Sequence, residues 1–171
     1  MATTAIPAAP RAKLSIKPDL FDRILSVAAL VLLAFVLAAL WRGRGEWGRV
    51  PTFVWAHIAT ILIALGLTPV MLLRRRGDRL HRRLGWVWAG AMALTAALTF
   101  GIRGLNHGSL SLIHILSGWT LIQVPLIVRA ARRHDHRRHR NAVRAMVAGA
   151  LLIAGIFTFP FNRLLGHWLF G

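Results

Sequence analysis

Five long apolar runs, separated by short basic segments, are the strongest constraint on how this chain folds. They occupy residues 24–41, 52–73, 84–102, 109–128 and 142–159, and each contains 18 to 22 residues. About 20 helical residues cross the hydrocarbon layer of a bilayer, and a helix satisfies its own backbone hydrogen bonds there. The sequence therefore predicts an all-α integral membrane bundle with five transmembrane helices.

The basic residues are distributed unequally between the segments that connect these runs. Residues 1–23, 74–83 and 129–144 carry 17 of the 22 lysines and arginines, and the segments on the other side carry five. Loops rich in lysine and arginine remain in the cytoplasm. This asymmetry predicts a multi-pass protein of a bacterial inner membrane, with its amino terminus inside and its carboxyl terminus outside.

The chain divides into three parts on this view. Residues 1–23 are predicted to be a flexible cytoplasmic tail, and 24–41 the first transmembrane helix. Its apolar run is longer than the roughly 7–15 residues of a signal-peptide core, which favours an uncleaved anchor. Residues 52–171 are predicted to form a four-helix membrane domain with a short outer C-terminal tail.

Composition excludes several classes of function. The chain has no cysteine, which removes disulfide frameworks, thiolate metal sites and cysteine-ligated iron–sulfur clusters. It also lacks the GxxxxGK(S/T) loop that binds nucleotide phosphates. The net charge of +17 is concentrated in tight loops beside the apolar runs. We therefore expect the bilayer, with its anionic headgroups, as partner, and no nucleic acid.

Four of the eight histidines fall into two pairs when they are sorted by depth. His57 and His114 are each the sixth residue of a run that starts on the outer side, about 8 Å below that boundary. His81 and His139 each lie just before a run that starts on the cytoplasmic side. Ionisable side chains inside membrane helices are costly and usually functional.

Paired histidines on neighbouring helices are the ligands that a b-type haem requires, one for each face of the iron. The spacing predicts an outer haem b held by His57 and His114 and an inner one held by His81 and His139. Two haems placed in this way would pass electrons across the membrane to a protein redox partner. The arginines placed to pair with haem propionates are Arg82, Arg83 and Arg140 inside and Arg103 and Arg163 outside.

A structural role for the histidines is the alternative. A membrane histidine often hydrogen-bonds a hydroxyl or carbonyl of the next helix, and Thr60 and Ser117 lie one turn from His57 and His114. The chain would then be a non-catalytic subunit of a membrane complex or a lipid-interacting protein. A transporter is less favoured, because no charged residue lies at mid-depth and no inverted repeat is evident.

Several segments also carry a family resemblance: 57–92, which contains the motif HRRLGW, 112–133 and 139–163. Over about residues 55–165 the chain resembles the bacterial predicted membrane proteins grouped as domain of unknown function 2306. The resemblance implies a compact multi-helix membrane bundle and no established activity. The chain departs from that pattern at Phe161-Asn162-Arg163, where the family tends to have Pro-Gly-Arg. In architecture alone, the histidine pairs are similar to those of two-haem b-type cytochromes that use ascorbate.

Overall fold

The structure, a computed structural model, describes residues 18–102, 112–160 and 163–171, and every element in these ranges is a helix. The long helices are α1 (Leu20–Arg42), α2 (Thr52–Leu73), α3 (Arg79–Thr99), α4 (Leu112–Arg132) and α5 (His136–Met146). A 3₁₀ turn (Gly43–Arg49) follows α1, and a π-helical segment (Val147–Ile153), α6 (Ala154–Ile156) and α7 (Leu164–Phe170) follow α5. Most of the predicted tail, Arg103 and the start of the fourth predicted run lie outside the described residues.

The all-α prediction is confirmed for the described residues. Among the described residues, three helical stretches are long and apolar enough to cross a membrane: Leu20–Arg49, Thr52–Leu73 and Ile113–Arg132. The other two predicted runs are also helical, but α3 and α5 begin with clusters of basic residues that lower the hydropathy of the whole helix. By length and composition, three of the five predicted spans qualify as membrane-crossing helices.

Aspartates determine where three helices begin, and each of them begins before its predicted boundary: α1 at Leu20 and not 24, α3 at Arg79 and not 84, and α5 at His136 and not 142. Asp78 accepts a hydrogen bond from the backbone N–H of His81 at 2.6 Å, so α3 begins before residue 84. Asp135 accepts from the backbone N–H of Arg138 at 3.0 Å, so α5 begins before residue 142. A side-chain oxygen at the N-cap satisfies a backbone donor that the helix itself leaves unpaired.

The amino end of α1 has a reciprocal cap. Asp19 accepts a hydrogen bond from the backbone N–H of Asp22 at 3.0 Å, and the Asp22 carboxylate accepts one from the backbone N–H of Asp19 at 3.2 Å. This is a capping box with aspartate at both positions. Four of the five acidic residues of the chain therefore lie at the amino ends of α1, α3 and α5.

The long helices pack in chain order and close into a ring. α1 contacts α2, α2 contacts α3, α3 contacts α4, and α4 contacts α5. The π segment that follows α5 then packs back against α1. Leu65 of α2, Met146 of α5 and Leu151 of the π segment are almost completely buried at the centre. α1 therefore forms one wall of the bundle, and α7 packs against its carboxyl end together with the 3₁₀ turn.

Hydroxyl groups link α2 to α3 within the ring. Thr95 of α3 donates a hydrogen bond to the Thr60 hydroxyl oxygen at 2.7 Å, and Trp88 Nε1 donates to the Thr68 hydroxyl oxygen at 3.0 Å. All four residues are buried. Polar contacts of this kind hold helices together where apolar packing alone gives little specificity.

Candidate functional site

His57 lies on α2 with its ring directed towards α3. Its Nδ1 is 3.2 Å from the backbone carbonyl oxygen of Thr95. A carbonyl only accepts hydrogen bonds, so Nδ1 carries the proton and donates, while Nε2 keeps its lone pair. Thr60, the hydroxyl neighbour considered in the sequence, donates to the His57 backbone carbonyl at 2.9 Å and not to the ring.

A small cavity adjoins His57 between α2, α3, α4 and the π segment. Its volume is about 60 Å³. Pockets for drug-sized ligands enclose roughly 300–1,000 Å³, so this space accommodates water molecules and no larger ligand in the present packing. The polar side chains that line it besides His57 are Thr95, Thr99, Ser117, Thr120 and Thr158.

The π segment borders this cavity and widens the helix that contains it. Ala150 of the segment and Ala154 and Gly155 of α6 form that wall, so the side chains there are small. A π turn inserted in an α-helix is rare and is often found beside functional sites. The predicted continuous helix over 142–159 is therefore interrupted at the level of the cavity and ends at Ile156.

The partner proposed for His57 has a different environment. His114 of α4 is buried, with 4% of its surface exposed, and its ring centroid lies 5.6 Å from that of Phe100. On α4, the residues that face the cavity are Ile113, Leu116, Ser117 and Thr120. Within the described residues, the cavity wall thus contains His57, while His114 packs beside it against Phe100.

The inner pair lies at two capped helix ends. His81 lies in the first turn of α3 after Asp78, and His139 lies in the first turn of α5 after Asp135. Burial lowers the pKa of His81, and a protonated His139 would lower it further, so the two rings lie within electrostatic range of each other. Burial is the larger cause and lowers the pKa of both rings, so both are neutral at pH 7.

The ring nitrogens of the inner pair are only partly committed to hydrogen bonds. His139 Nδ1 lies 3.1 Å from the backbone carbonyl oxygen of Ile127 in α4, so it donates and Nε2 keeps its lone pair. His81 Nδ1 is buried, and none of the described residues forms a hydrogen bond with it. A buried polar atom without a partner is unusual in a native structure and calls for an explanation. A metal ligand is one such explanation.

The arginines predicted to bind haem propionates occupy separate places. Arg140 forms ion pairs with Asp19 at 2.6 Å and with Asp22 at 3.0 Å. Arg82 is exposed and donates to the backbone carbonyl of Gly77 at 2.8 Å. Arg163 is half-buried and directly precedes α7. Of these three, Arg140 is the one that already has carboxylate partners.

An acid–base cluster at the amino end of α1 is the main feature that the sequence interpretation missed. The Asp22 side chain is completely buried, and it forms ion pairs with Arg76 at 2.5 Å, Arg144 at 2.8 Å and also Arg140. Asp19 adds an ion pair to Arg144 at 2.5 Å. We call these five residues the Asp22 cluster. It joins the beginning of α1, the α2–α3 loop and α5.

One signal in the sequence pointed to this cluster. Arg144 lies inside an apolar run, and a cation in such a place requires a nearby counter-charge. The carboxylates on the same predicted side of the membrane are Asp19, Asp22, Asp78 and Asp135. The sequence does not indicate which of them approaches Arg144, because that depends on how α1 packs against α5.

Asp78 gives the protein a predictable response to acid. Hydrogen bonds from Arg74, at 2.6 Å for the shortest, lower the pKa of Asp78 from 3.8 to about 2. A depressed pKa stabilises the fold above pH 4, and that contribution is lost as the pH falls towards 2. We expect Asp78→Asn, which keeps an N-cap oxygen, to make unfolding in detergent less dependent on pH between 4 and 2. Equal pH dependence in both proteins would contradict this.

Comparison with known proteins adds no assignment: no family model, curated protein or solved structure matches the chain. The resemblance to domain of unknown function 2306 therefore stays a prediction.

Proposed function

We propose that the chain is a multi-pass protein of a bacterial inner membrane, with five transmembrane helices and the amino terminus in the cytoplasm. Large apolar side chains on the outside of the bundle support membrane insertion, such as Val27 and Leu30 of α1 and Ile115 and Ile122 of α4, each at least 50% exposed. A surface of this kind is unfavourable in water and suited to lipid. α3, with 21 residues, is about 31 Å long, which is sufficient to cross.

The Asp22 cluster supports the proposed orientation. It gathers Arg76, Arg140 and Arg144 from two of the three basic segments at the end of the bundle where α1 begins. The end with more basic residues is the cytoplasmic one under the positive-inside rule. The beginnings of α1, α3 and α5 would then all face the cytoplasm.

Within this membrane bundle, the proposed activity is electron transfer by haem b held between histidines. The observation that carries the proposal is the inner pair, His81 and His139: two neutral imidazoles on different helices, within electrostatic range of each other, with one nitrogen of each uncommitted. Metal-bound histidines usually donate their other nitrogen to a carbonyl or carboxylate, which fixes the ring orientation. His139 does so to Ile127, and His57 does so to Thr95.

The donor atoms of the inner pair suit a haem iron, which would supply one-electron oxidation and reduction there. In that arrangement, the role of His139 and His81 is to hold the iron. The Ile127 carbonyl orients the His139 ring. The outer pair fits less well, because the cavity beside His57 is only about 60 Å³ and His114 packs against Phe100. A haem at that level would require α4 to move away from α2.

A second candidate is a non-catalytic membrane subunit or lipid-interacting protein. The hydrogen bond from His57 to the Thr95 carbonyl is also what a purely structural membrane histidine makes. A groove lined by Trp86, apolar residues of α4 and three arginines favours a lipid-interacting protein.

The absorbance spectrum of the purified protein distinguishes the two candidates. From haem-replete cells, the haem protein would show a Soret band that shifts on reduction with dithionite. We expect His139→Ala and His81→Ala to remove the inner haem, and so to lower haem content by about half if both sites are filled. His136→Ala is the matched control, because His136 is exposed on the same turn of α5. Folded wild-type protein without a Soret band would reject the haem proposal.

A further inference from the structure

A groove with both apolar and cationic walls lies at the end of α4, apart from both histidine pairs. Its volume is about 560 Å³, within the range of roughly 300–1,000 Å³ that is typical of ligand sites. The apolar wall consists of Trp86 of α3 with Val124, Pro125 and Val128 of α4, and the cationic wall consists of Arg129, Arg132 and Arg133. We call this the Trp86 groove.

The three arginines of the Trp86 groove have no carboxylate partner. Among the described residues, which include every acidic side chain of the chain, no carboxylate forms an ion pair with them, and all three are exposed. The guanidinium of Arg132 lies 5.5 Å from the ring centroid of Trp86, a cation–π contact that holds it over the groove. The groove thus differs from the Asp22 cluster, where carboxylates neutralise the guanidinium groups.

The order of these residues along α4 determines what fits. Val124, Pro125 and Val128 precede the arginines and lie on the side towards the apolar centre of the helix. A ligand that satisfies both walls must have an anionic group at one end and a hydrocarbon chain that extends into the membrane. Arginine binds phosphate oxygens through two parallel hydrogen bonds, and the apolar wall gives no advantage to a free anion.

We infer that the Trp86 groove binds an anionic phospholipid, with the headgroup phosphate on Arg129, Arg132 and Arg133 and an acyl chain along Trp86 and the apolar residues of α4. The inference rests on the membrane placement and orientation in the proposed function, which put the end of α4 at the cytoplasmic leaflet. It does not depend on haem. Juxtamembrane arginines attract anionic lipids even without a groove, so the experiment must separate a site from general attraction.

The test uses the full chain in detergent, titrated with mixed micelles of phosphatidylglycerol whose acyl chains carry bromine, a quencher of tryptophan fluorescence. Wild-type protein would show saturable quenching, and most of it would disappear in Trp86→Phe. We expect the triple variant R129Q/R132Q/R133Q to bind roughly a hundredfold more weakly, at about fivefold for each arginine. The matched control is R75Q/R137Q/R138Q, which removes three exposed arginines of the same predicted side. It should lose less than about threefold.

Four results would overturn the inference. They are equal weakening in both triple variants, equal binding of brominated phosphatidylcholine, unchanged quenching in Trp86→Phe, and competition by inorganic phosphate at the same concentration as lipid. Failure of the proposed membrane placement or of the proposed haem binding would be seen in other measurements. A chain released from membranes by alkaline carbonate would reject the membrane placement, and the Soret band of the same samples reports on haem separately from lipid binding.

Discussion

Asp22→Asn is expected to destabilise the protein by about 3 kcal/mol, among the largest losses from any single substitution. Asp22 is completely buried, and its carboxylate is paired with Arg76, Arg140 and Arg144. Removing the negative charge leaves three guanidinium groups facing each other without their central counter-charge. Their side chains are 13–20% exposed, so water relieves part of this cost, and the loss is expected at the lower end for a broken buried pair.

Unfolding in detergent, followed by circular dichroism, would measure this effect. Asp135→Asn is the matched control, because Asp135 is exposed and an asparagine still caps α5; its effect should be within about 0.5 kcal/mol. Adding Arg144→Gln to Asp22→Asn should recover part of the lost stability, since one unpaired cation is removed. If Asp22→Asn unfolds like the wild type, the Asp22 cluster does not stabilise the bundle.

Gly166→Ala is expected to detach α7, at a cost of roughly 3 kcal/mol. A Cβ atom at Gly166 would overlap the backbone carbonyl oxygen of Phe159, and a backbone atom cannot rotate aside as a side chain can. α7 would have to move away from α1 and the 3₁₀ turn. Trp168, which is 5% exposed, would then lose its burial and the hydrogen bond that it donates to Glu46 at 3.2 Å.

Limited proteolysis of the carboxyl terminus and a red shift of tryptophan emission would report the detachment. Gly118→Ala provides the comparison, because Gly118 lies in α4 with open space around its missing side chain. That substitution should be neutral or stabilise the protein by up to about 1 kcal/mol through helix propensity. A Gly166→Ala protein with wild-type protease resistance would show that Phe159 moves freely and that α7 is not held at this contact.

Much of the fold could be predicted because hydropathy acts locally along the chain. The second apolar run, 52–73, has the same bounds as α2, since Pro51 precedes it and basic residues follow it. The beginnings of α3 and α5 were less predictable. There the carboxylates of Asp78 and Asp135 extend the helices through basic residues that hydropathy assigns to loops.

The candidate site was predictable in its residues but not in its geometry. Spacing alone selected the histidines at two levels, and the structure places His81 and His139 at the beginnings of α3 and α5, within electrostatic range of each other. It also directs His114 towards Phe100, beside the cavity that adjoins His57. The rotation of each helix about its axis decides whether its histidine faces the cavity. In a membrane bundle apolar residues face both lipid and core, so the hydropathy pattern does not report that rotation.

The sequence by itself determined which stretches form the long apolar helices and which end of each is basic, because the energy of burying or exposing a residue depends on its own chemistry. Only the tertiary structure decided that Asp22 meets Arg76, Arg140 and Arg144, and that the last helical region widens into a π segment beside His57. Asp22 lies 54 residues from Arg76 and 122 from Arg144. Contacts over such separations arise from the packing of whole helices, which no local pattern specifies.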